Sequence, residues 1–559
     1  MKIVVLYTDL VMWFLAAAVL FFAVYAAKTP ELAAKWKQVL IRPAAQACGT
    51  VLLLFFLLAL ADSVHWRNEL PKQTAEATVA YDTKTVSLLD TLVLPHIAGR
   101  ERSYSAPFAL HDFDKTTVIR DGKSVRDYQR LTGASPDVPE KGAGLKLGKR
   151  FFAGFLTGVI ALSMLWIILA LAHKAVCKTP FTLSLVKVTA RTNPARPAVQ
   201  VVQVAVLLAV ILMFIWPMRH VFGTDATGND VLYTALKSVR TAFVIGSLAT
   251  LSALPFAVVL GIAAGYFKGK TDDVIQYIYT TLSSIPSVLL IAASVLMVQV
   301  FIDKNPQLYE TGLERADVRL FLLAVIMGVT GWAALARLLR AETMKVAAMD
   351  FVTAAKAFGV SPWRIMARHV LPNVTHIVLI VAVLDFSGIV LYEAVLSYVG
   401  VGVDPTIDSF GTMINAAAVE MSRSPMIWWN LAACFLFMVT LVLCANLFAS
   451  AVRDVFDPRS GSGAGGRVLR FRRAACRNLL ALSLAILSQY EIIDLQIEYC
   501  STASEILFFQ SYGFTAKCTG VFPLFLTASS ASSESFPSGT KSGECRKGPV
   551  NTARFPHGM

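Results

Sequence analysis

The stretch Ala264-Gly-Tyr-Phe-Lys-Gly-Lys-Thr271 has the spacing of a permissive phosphate loop, in which backbone amides cradle phosphates. That chemistry needs a buried strand before the loop and a helix after it. Here the segment closes a long apolar run, its first position is Ala, and no separate acidic strand follows to hold magnesium. Nucleotide binding is therefore declined, and a Gly-rich turn is expected, with Lys268 and Lys270 at lipid headgroups. Two acids are different. Asp385 and Glu393 lie within or near the end of an apolar run, where an ionisable group is by default a candidate lining of a substrate path. Asp9, in the first apolar run, is expected near an outer interface. The eight histidines make no HxxxH or HExxH pair and the eight cysteines no CxxC pair, so no metal site is expected. Cys48, Cys177, Cys434 and Cys444 read as small apolar residues, and Cys476, Cys500, Cys518 and Cys545 fall near the C-terminus. No Ser/His/Asp or Cys/His arrangement can be nominated, so no catalytic residue is expected.

These groups must be positioned by membrane-length elements. The chain has 559 residues, 56% hydrophobic and 16% charged. Its apolar residues gather in runs apolar all round, unlike the amphipathic helices of a soluble core. Nine spans are expected, at about 6–27, 44–62, 151–172, 200–217, 243–265, 278–301, 319–338, 375–396 and 428–450. The net charge of +14 would suggest nucleic acid in a soluble protein. Here the basic residues sit mostly between apolar runs, there is no RNA-binding signature or zinc-finger spacing, and nucleic-acid binding is excluded. Loop charge gives the orientation. His173, Lys174, Lys178, Lys187, Arg191 and Arg196 place one loop in the cytoplasm. Arg337, Arg340, Lys345, Lys356, Arg364 and Arg368 place another there, with the required parity. The N-terminus then falls outside and the C-terminus inside. Val24-Tyr25-Ala26 resembles a signal-peptide cleavage site. Only Lys2 precedes that run, however, and cleavage would break the parity, so a true span is expected.

Residues 63–150 form a polar insert, expected to be periplasmic, in which 77–81 and 85–89 alternate like strands of a small α+β unit. Its His96, His111, Asp90 and Asp112 have no recognisable catalytic spacing. Residues 456–559 differ from the rest. A Gly-rich linker at 461–466 leads into a basic stretch and Ser-rich sequence without a sustained period, expected to be a flexible or poorly folded cytoplasmic tail.

The loop from Asp350 to Asn373 carries more local information. Phe351 to Phe358 reads as a short helix with Ala354 and Ala355 in its middle, ended by Gly359 at positive φ. Ser361 is placed as an N-cap with Pro362 at the first helical position, and Pro372 is expected to stop the second short helix near Val370. Phe358, Val360, Ile365 and Met366 are apolar anchors for a partner's groove. An amphipathic loop lying on the bilayer surface fits the local features equally well.

This loop resembles the coupling motif of ABC importer permeases. The matching positions are Thr353-Ala354-Ala355, Gly359 and Arg368-His369-Val370-Leu371-Pro372-Asn373, with Thr353 standing where Glu is usual. Four further stretches resemble the dipeptide, oligopeptide and nickel branch of that family. They are Phe222 to Asp230, containing Gly223, Thr224, Asp225 and Asp230 but Asn229 for Arg; Ser284-Ile-Pro-Ser287; Glu393 to Gly402 with Ser409-Phe-Gly411; and Asn446-Leu-Phe with Arg453 to Arg459. Together they cover about residues 200–459, leaving out the first three spans, the insert and the tail.

The resemblance implies an all-α transmembrane bundle: a six-span permease core at 200–455 behind an N-terminal extension at 1–199 with three spans. It implies a bacterial inner-membrane transport subunit with no enzymatic activity of its own, which forms half of a path for peptides or similar solutes. Asp350, Thr353, Ala354, Ala355, Phe358, Gly359, Arg368, His369 and Pro372 would engage a separate ATPase. The implied partners are a second permease, two ABC ATPases carrying ATP and magnesium, a periplasmic solute-binding protein and the bilayer. The rival readings are an ion-driven secondary transporter, which an inverted repeat with acids in broken central spans would favour although the sequence has no internal repeat and few such acids, and a membrane-anchored sensor or enzyme working through the insert.

Overall fold

The computed structural model describes residues 2–70, 81–120, 123–134, 142–177, 195–309 and 311–456. The expected tail, the strand residues 77–80 and the basic residues Lys178, Lys187 and Arg191 lie outside these. Among the described residues nine helices are long and apolar enough to cross a membrane. The chain begins with β1 (Lys2–Val4), α1 (Tyr7–Lys28), α2 (Pro30–Ile41) and α3 (Pro43–Asp62). The insert contains β2 (His65–Glu69), β3 (Tyr81–Ser87), α4 (Leu88–Val93), β4 (His111–Arg120) and β5 (Lys123–Arg130). Then come α5 (Ala143–Cys177), α6 (Arg196–Ile215), α7 (Val231–Phe267), α8 (Gly269–Ser284), α9 (Ser287–Lys304), α10 (Gly312–Gly331) and α11 (Ala333–Ala347). The last are α12 (Asp350–Ala357), α13 (Pro362–Ile365), α14 (Leu371–Tyr398), α15 (Phe410–Met421) and α16 (Trp429–Phe456).

The bundle is built around α7, which packs against α3, α10, α11, α14 and α16. Its sequence permits that crowding. Ideal Cβ atoms on Gly261 and Gly265 would stand 2.8 and 2.6 Å from the carbonyl oxygens of Ala336 and Arg340, so only glycine lets α11 come this close. Small residues four apart on an apolar helix are the usual device for such an approach. By contrast α6, the expected first span of the core, lies along α5 and α3.

Two expectations about spans and strands change. The run expected at 278–301 is divided between α8 and α9 by extended Ile285 (φ −89°, ψ 132°) before Pro286, and of the two only α9 is long and apolar enough to cross a membrane. A residue before proline is pushed out of the helical region. In the insert, the strand expected at 85–89 ends at Ser87, whose hydroxyl accepts from the Asp90 amide and starts α4 instead. β1, β2 and β3 form an antiparallel sheet, so the first residues of the chain pair with the insert (Val4 with His65). β4 and β5 form a separate antiparallel pair.

The phosphate-loop-like segment joins α7 to α8 through Lys268 at φ +55°, and a 37-residue helix precedes it where a strand would be needed.

Candidate functional site

The α12–α13 loop lies at one end of the bundle and the insert at the other. In the loop, Phe358 caps α12, and the Gly359 amide donates to the Lys356 carbonyl (3.0 Å) and the Val360 amide to the Ala355 carbonyl (3.2 Å). That pair of bonds is a Schellman ending, and it requires the φ of +72° that Gly359 adopts. Pro362 stands in the first turn of α13, but the Ser361 side chain makes no capping bond. Pro372 does not stop the helix. The backbone widens into a π-turn at 366–370, where the Leu371 amide reaches the Met366 carbonyl five residues back, and continues into α14. The wider turn makes room for a ring that would clash with the carbonyl four residues earlier.

The apolar anchors also divide differently. Ile365 and Met366 are buried with Val352 and Ala355 in the chain's own core. Phe358 is 87% exposed, and Trp363, which the sequence reading passed over, is 66% exposed. Trp363 is steadied edge-on against Phe267 (6.2 Å between centroids), and Lys356 lies over the Tyr266 ring at 4.6 Å. Asp350, Thr353, Ala354 and Arg368 are exposed, and His369 is half-buried with its ring 6.4 Å from that of Phe351. The Thr353 hydroxyl donates to the Asp350 carbonyl (2.8 Å), so it is occupied by its own helix. The result is a two-helix knob on a packed base with two bare aromatic rings.

At the other end, Gly223 and Thr224 bind the insert to the approach to α7, and Asp225 and Asp230 brace that turn from within. Thr224 Oγ1 donates to the Ser103 carbonyl and accepts from the Ser105 amide, both at 2.7 Å. Gly223, at φ +67°, lies so close that a Cβ would sit 2.2 Å from the Ser105 carbonyl oxygen. Asp225 Oδ1 closes the turn by accepting from the Thr227 and Asn229 amides (2.8 and 2.9 Å). Asp230 caps α7 through the Tyr233 amide (3.1 Å), and its other oxygen accepts from Trp216 Nε1 (2.9 Å) and His220 Nδ1 (2.7 Å).

His220 is 1% exposed and sits between two carboxylates. Its Nε2 stands 3.6 Å from Glu101 Oε1, an ion-pair separation too long for a hydrogen bond. Burial lowers its pKa, but Asp230 and Glu101 outweigh that and raise it to about 9. Burial raises Glu101, but His220 and the amides of Thr132, Ala134 and Gly133 hold it below the usual range.

Deeper, a chain of charges fastens α1 and the insert to α7 and α10. Arg240 donates to Asp9 Oδ1 (2.6 Å) and Thr8 Oγ1 (2.8 Å), and Asp9 Oδ2 meets His65 Nδ1 (2.9 Å). Thr8 donates to Asp317 through its amide (3.2 Å) and its hydroxyl. Asp9, expected near an interface, is thus 2% exposed. Lys237 lies 3.1 Å from Asp90. The sequence reading missed Arg240, Asp317, His220 and Glu101. The available signal was Lys237 and Arg240 at the start of an apolar helix, each needing an acid partner.

The two acids of α14 separate. Glu393 is 2% exposed and accepts from Ser397 (2.8 Å) and Ser409 (3.2 Å), tying α14 to the start of α15. Asp385 is exposed in mid-helix and makes no hydrogen bond or ion pair among the described residues. No group of three His, Cys, Asp or Glu side chains suited to a metal occurs among the described residues.

Residues 257–462 match the family described as binding-protein-dependent transport system inner membrane component. The oligopeptide transport system permease protein OppC of Haemophilus influenzae is 29% identical over 240 residues, 43% of this chain and 70% of that protein. OppC of Mycobacterium bovis is 30% identical over 244 residues, 44% of this chain and 77% of that protein. Among solved structures, the MetNI methionine ABC transporter in an inward-facing conformation aligns at 18% identity with a TM-score of 0.29, over 39% of this chain and 93% of that one. The family match includes the α12–α13 knob, and the chain belongs to the binding-protein-dependent transport system inner membrane components: it is a multi-pass permease subunit of an ABC importer.

Proposed function

We propose that this permease carries peptides or similarly small solutes across a bacterial inner membrane. It forms half of the path with a second permease. The bare pair Phe358 and Trp363, held on a buried base, carries the coupling part of this reading: they are exposed aromatic anchors of the kind that dominate protein interfaces. Two ATPases engage the knobs of the two permeases, holding ATP and magnesium themselves, and this chain hydrolyses nothing. The concentration of Arg337, Arg340, Lys345, Lys356, Arg364 and Arg368 around the loop supports a cytoplasmic side for that end. The N-terminus and insert then face the periplasm, where a solute-binding protein delivers its cargo, and the C-terminus lies inside. The peptide assignment follows the oligopeptide permeases to which the chain is similar.

The test is co-purification from gently solubilised membranes, native chain beside Gly359→Pro. Proline cannot adopt φ near +72° and has no amide for the Lys356 carbonyl, so the knob is distorted while the spans stay packed. The ATPase should copurify with the native chain and be lost from the variant. An ATPase retained by the variant would remove the knob from the coupling role.

A further inference from the structure

The break between α8 and α9 and the junction of α10 with α11 border a cavity of about 520 Å³, within the range of small-ligand sites. Ser283, Ser284 and Ser287 supply polar groups from one wall, and Thr330, Gly331 and Arg337 from the other. Arg337 is exposed to this space. It donates to the Ser283 hydroxyl at 2.9 Å and rests over the Tyr279 ring at 5.4 Å. Among the described residues it has no carboxylate partner. Arg340, one turn on, is gripped by both oxygens of Asp272 at 2.5 and 2.6 Å.

Depth makes the contrast matter. Arg319, near the insert end of the same helical rod, pairs with Asp404 at 3.2 Å. At the rise of an α-helix, Arg337 lies about 27 Å further along. The hydrocarbon layer is about 30 Å thick, so Arg337 stands at its far margin. A cation there needs water, a headgroup or an anionic ligand. A guanidinium has five N–H donors in a fork that matches a carboxylate, and the serine hydroxyl leaves most of them open to the cavity. A Cβ on Gly331 would meet nothing within 4 Å, so the cavity is open along that part of its wall. The Tyr392 hydroxyl donates to Ser287 at 2.9 Å and links α14, which carries Asp385, to the rim.

We propose that this cavity is an anion-recognition point on the translocation path, where Arg337 pairs with a carboxylate of the passing solute. The proposal rests on the importer reading above.

The test uses the assembled transporter in zwitterionic proteoliposomes with Ser284→Cys on the cavity wall, against the same transporter without that cysteine. The rates of modification by an anionic sulfonatoethyl and a cationic trimethylammonioethyl methanethiosulfonate are compared. The anionic reagent should be favoured by about tenfold, the scale on which a charged cleft concentrates a counter-ion. Arg337→Gln should abolish the bias and Arg337→Lys keep most of it. A bias that survives Arg337→Gln, or a cysteine that neither reagent reaches, overturns the proposal. A dipeptide with a free C-terminal carboxylate should slow modification while its C-terminal amide does not. Quenching by added phosphatidylglycerol and not by the dipeptide would assign the cavity to a lipid phosphate and overturn the solute assignment. A native transporter that shows the bias but drives no peptide uptake with ATP would sink the peptide reading and leave the anion site standing.

Discussion

At the α12–α13 loop the chain buries Ile365 and Met366 and leaves Phe358 and Trp363 bare; at the Gly223–Asp230 turn it commits its polar groups to partners within the chain, Thr224 to the insert and Asp230 to Trp216 and His220. Both segments stand out in the sequence as motifs, and each has a glycine at positive φ. In the turn, the glycine brings two backbones together and the acids are consumed by amides, an indole and a buried imidazole. In the loop, the glycine only reverses the chain, and the rings it presents stay largely in the open, Trp363 touching Phe267 by an edge. A motif that satisfies itself is a fastener; one that leaves large apolar side chains in water is a surface waiting for a partner.

The comparison breaks most severely at the fastener. Arg240→Met leaves Asp9 buried without its strongest cation, and should cost about 3–5 kcal/mol, read as thermal unfolding in detergent. Native-like melting of that variant would mean the extension is not held by this network. Next comes His220. Its raised pKa contributes stability that is fully present below about 6.5 and is lost as pH rises through about 9. On the order of 3 kcal/mol should disappear over that window. An alkaline melting series should show the step, and His220→Gln should abolish it. Persistence of the step in the variant would place it elsewhere.

The loop should behave in the opposite way. Phe358→Asp, at an exposed site, should leave melting within about 0.5 kcal/mol of native yet cost about 2 kcal/mol in ATPase binding, roughly thirtyfold. Destabilisation without loss of binding would invert the assignment of the two ends. The smallest effect is expected from Thr353→Glu, which installs the acid common in the family at an exposed position. Stability should change by less than about 0.5 kcal/mol, and ATPase recovery should hold or rise. A sharp fall in recovery would show that Thr353 fits a close contact.

Much of the architecture was legible because the bilayer imposes a length and a polarity on each span. The nine apolar runs map onto the nine helices, and Gly359 ends α12 as its type and place imply. The misses share a cause. Pro372 was read as a stop, although a π-turn absorbs it; Ser284 to Ser287 was read as continuous helix, although Pro286 breaks it. Each depends on how a backbone relaxes around a proline, which neighbouring helices decide. Asp9 and Glu393 were read by depth, and both are consumed by partners 231 and 16 residues away.

The sequence by itself determined the membrane-length apolar runs among the described residues, which loops carry the positive charge and where the two-helix knob lies. Those depend on local composition and on backbone preferences within a few residues. Only the tertiary structure decided which acids are spent and which are bare, that Trp363 joins Phe358 on the knob, and that Arg337 faces an open cavity while Arg340 is paired. Those outcomes are set by which side chain from a distant helix arrives within about 3 Å, and the hydropathy of a segment carries no record of that.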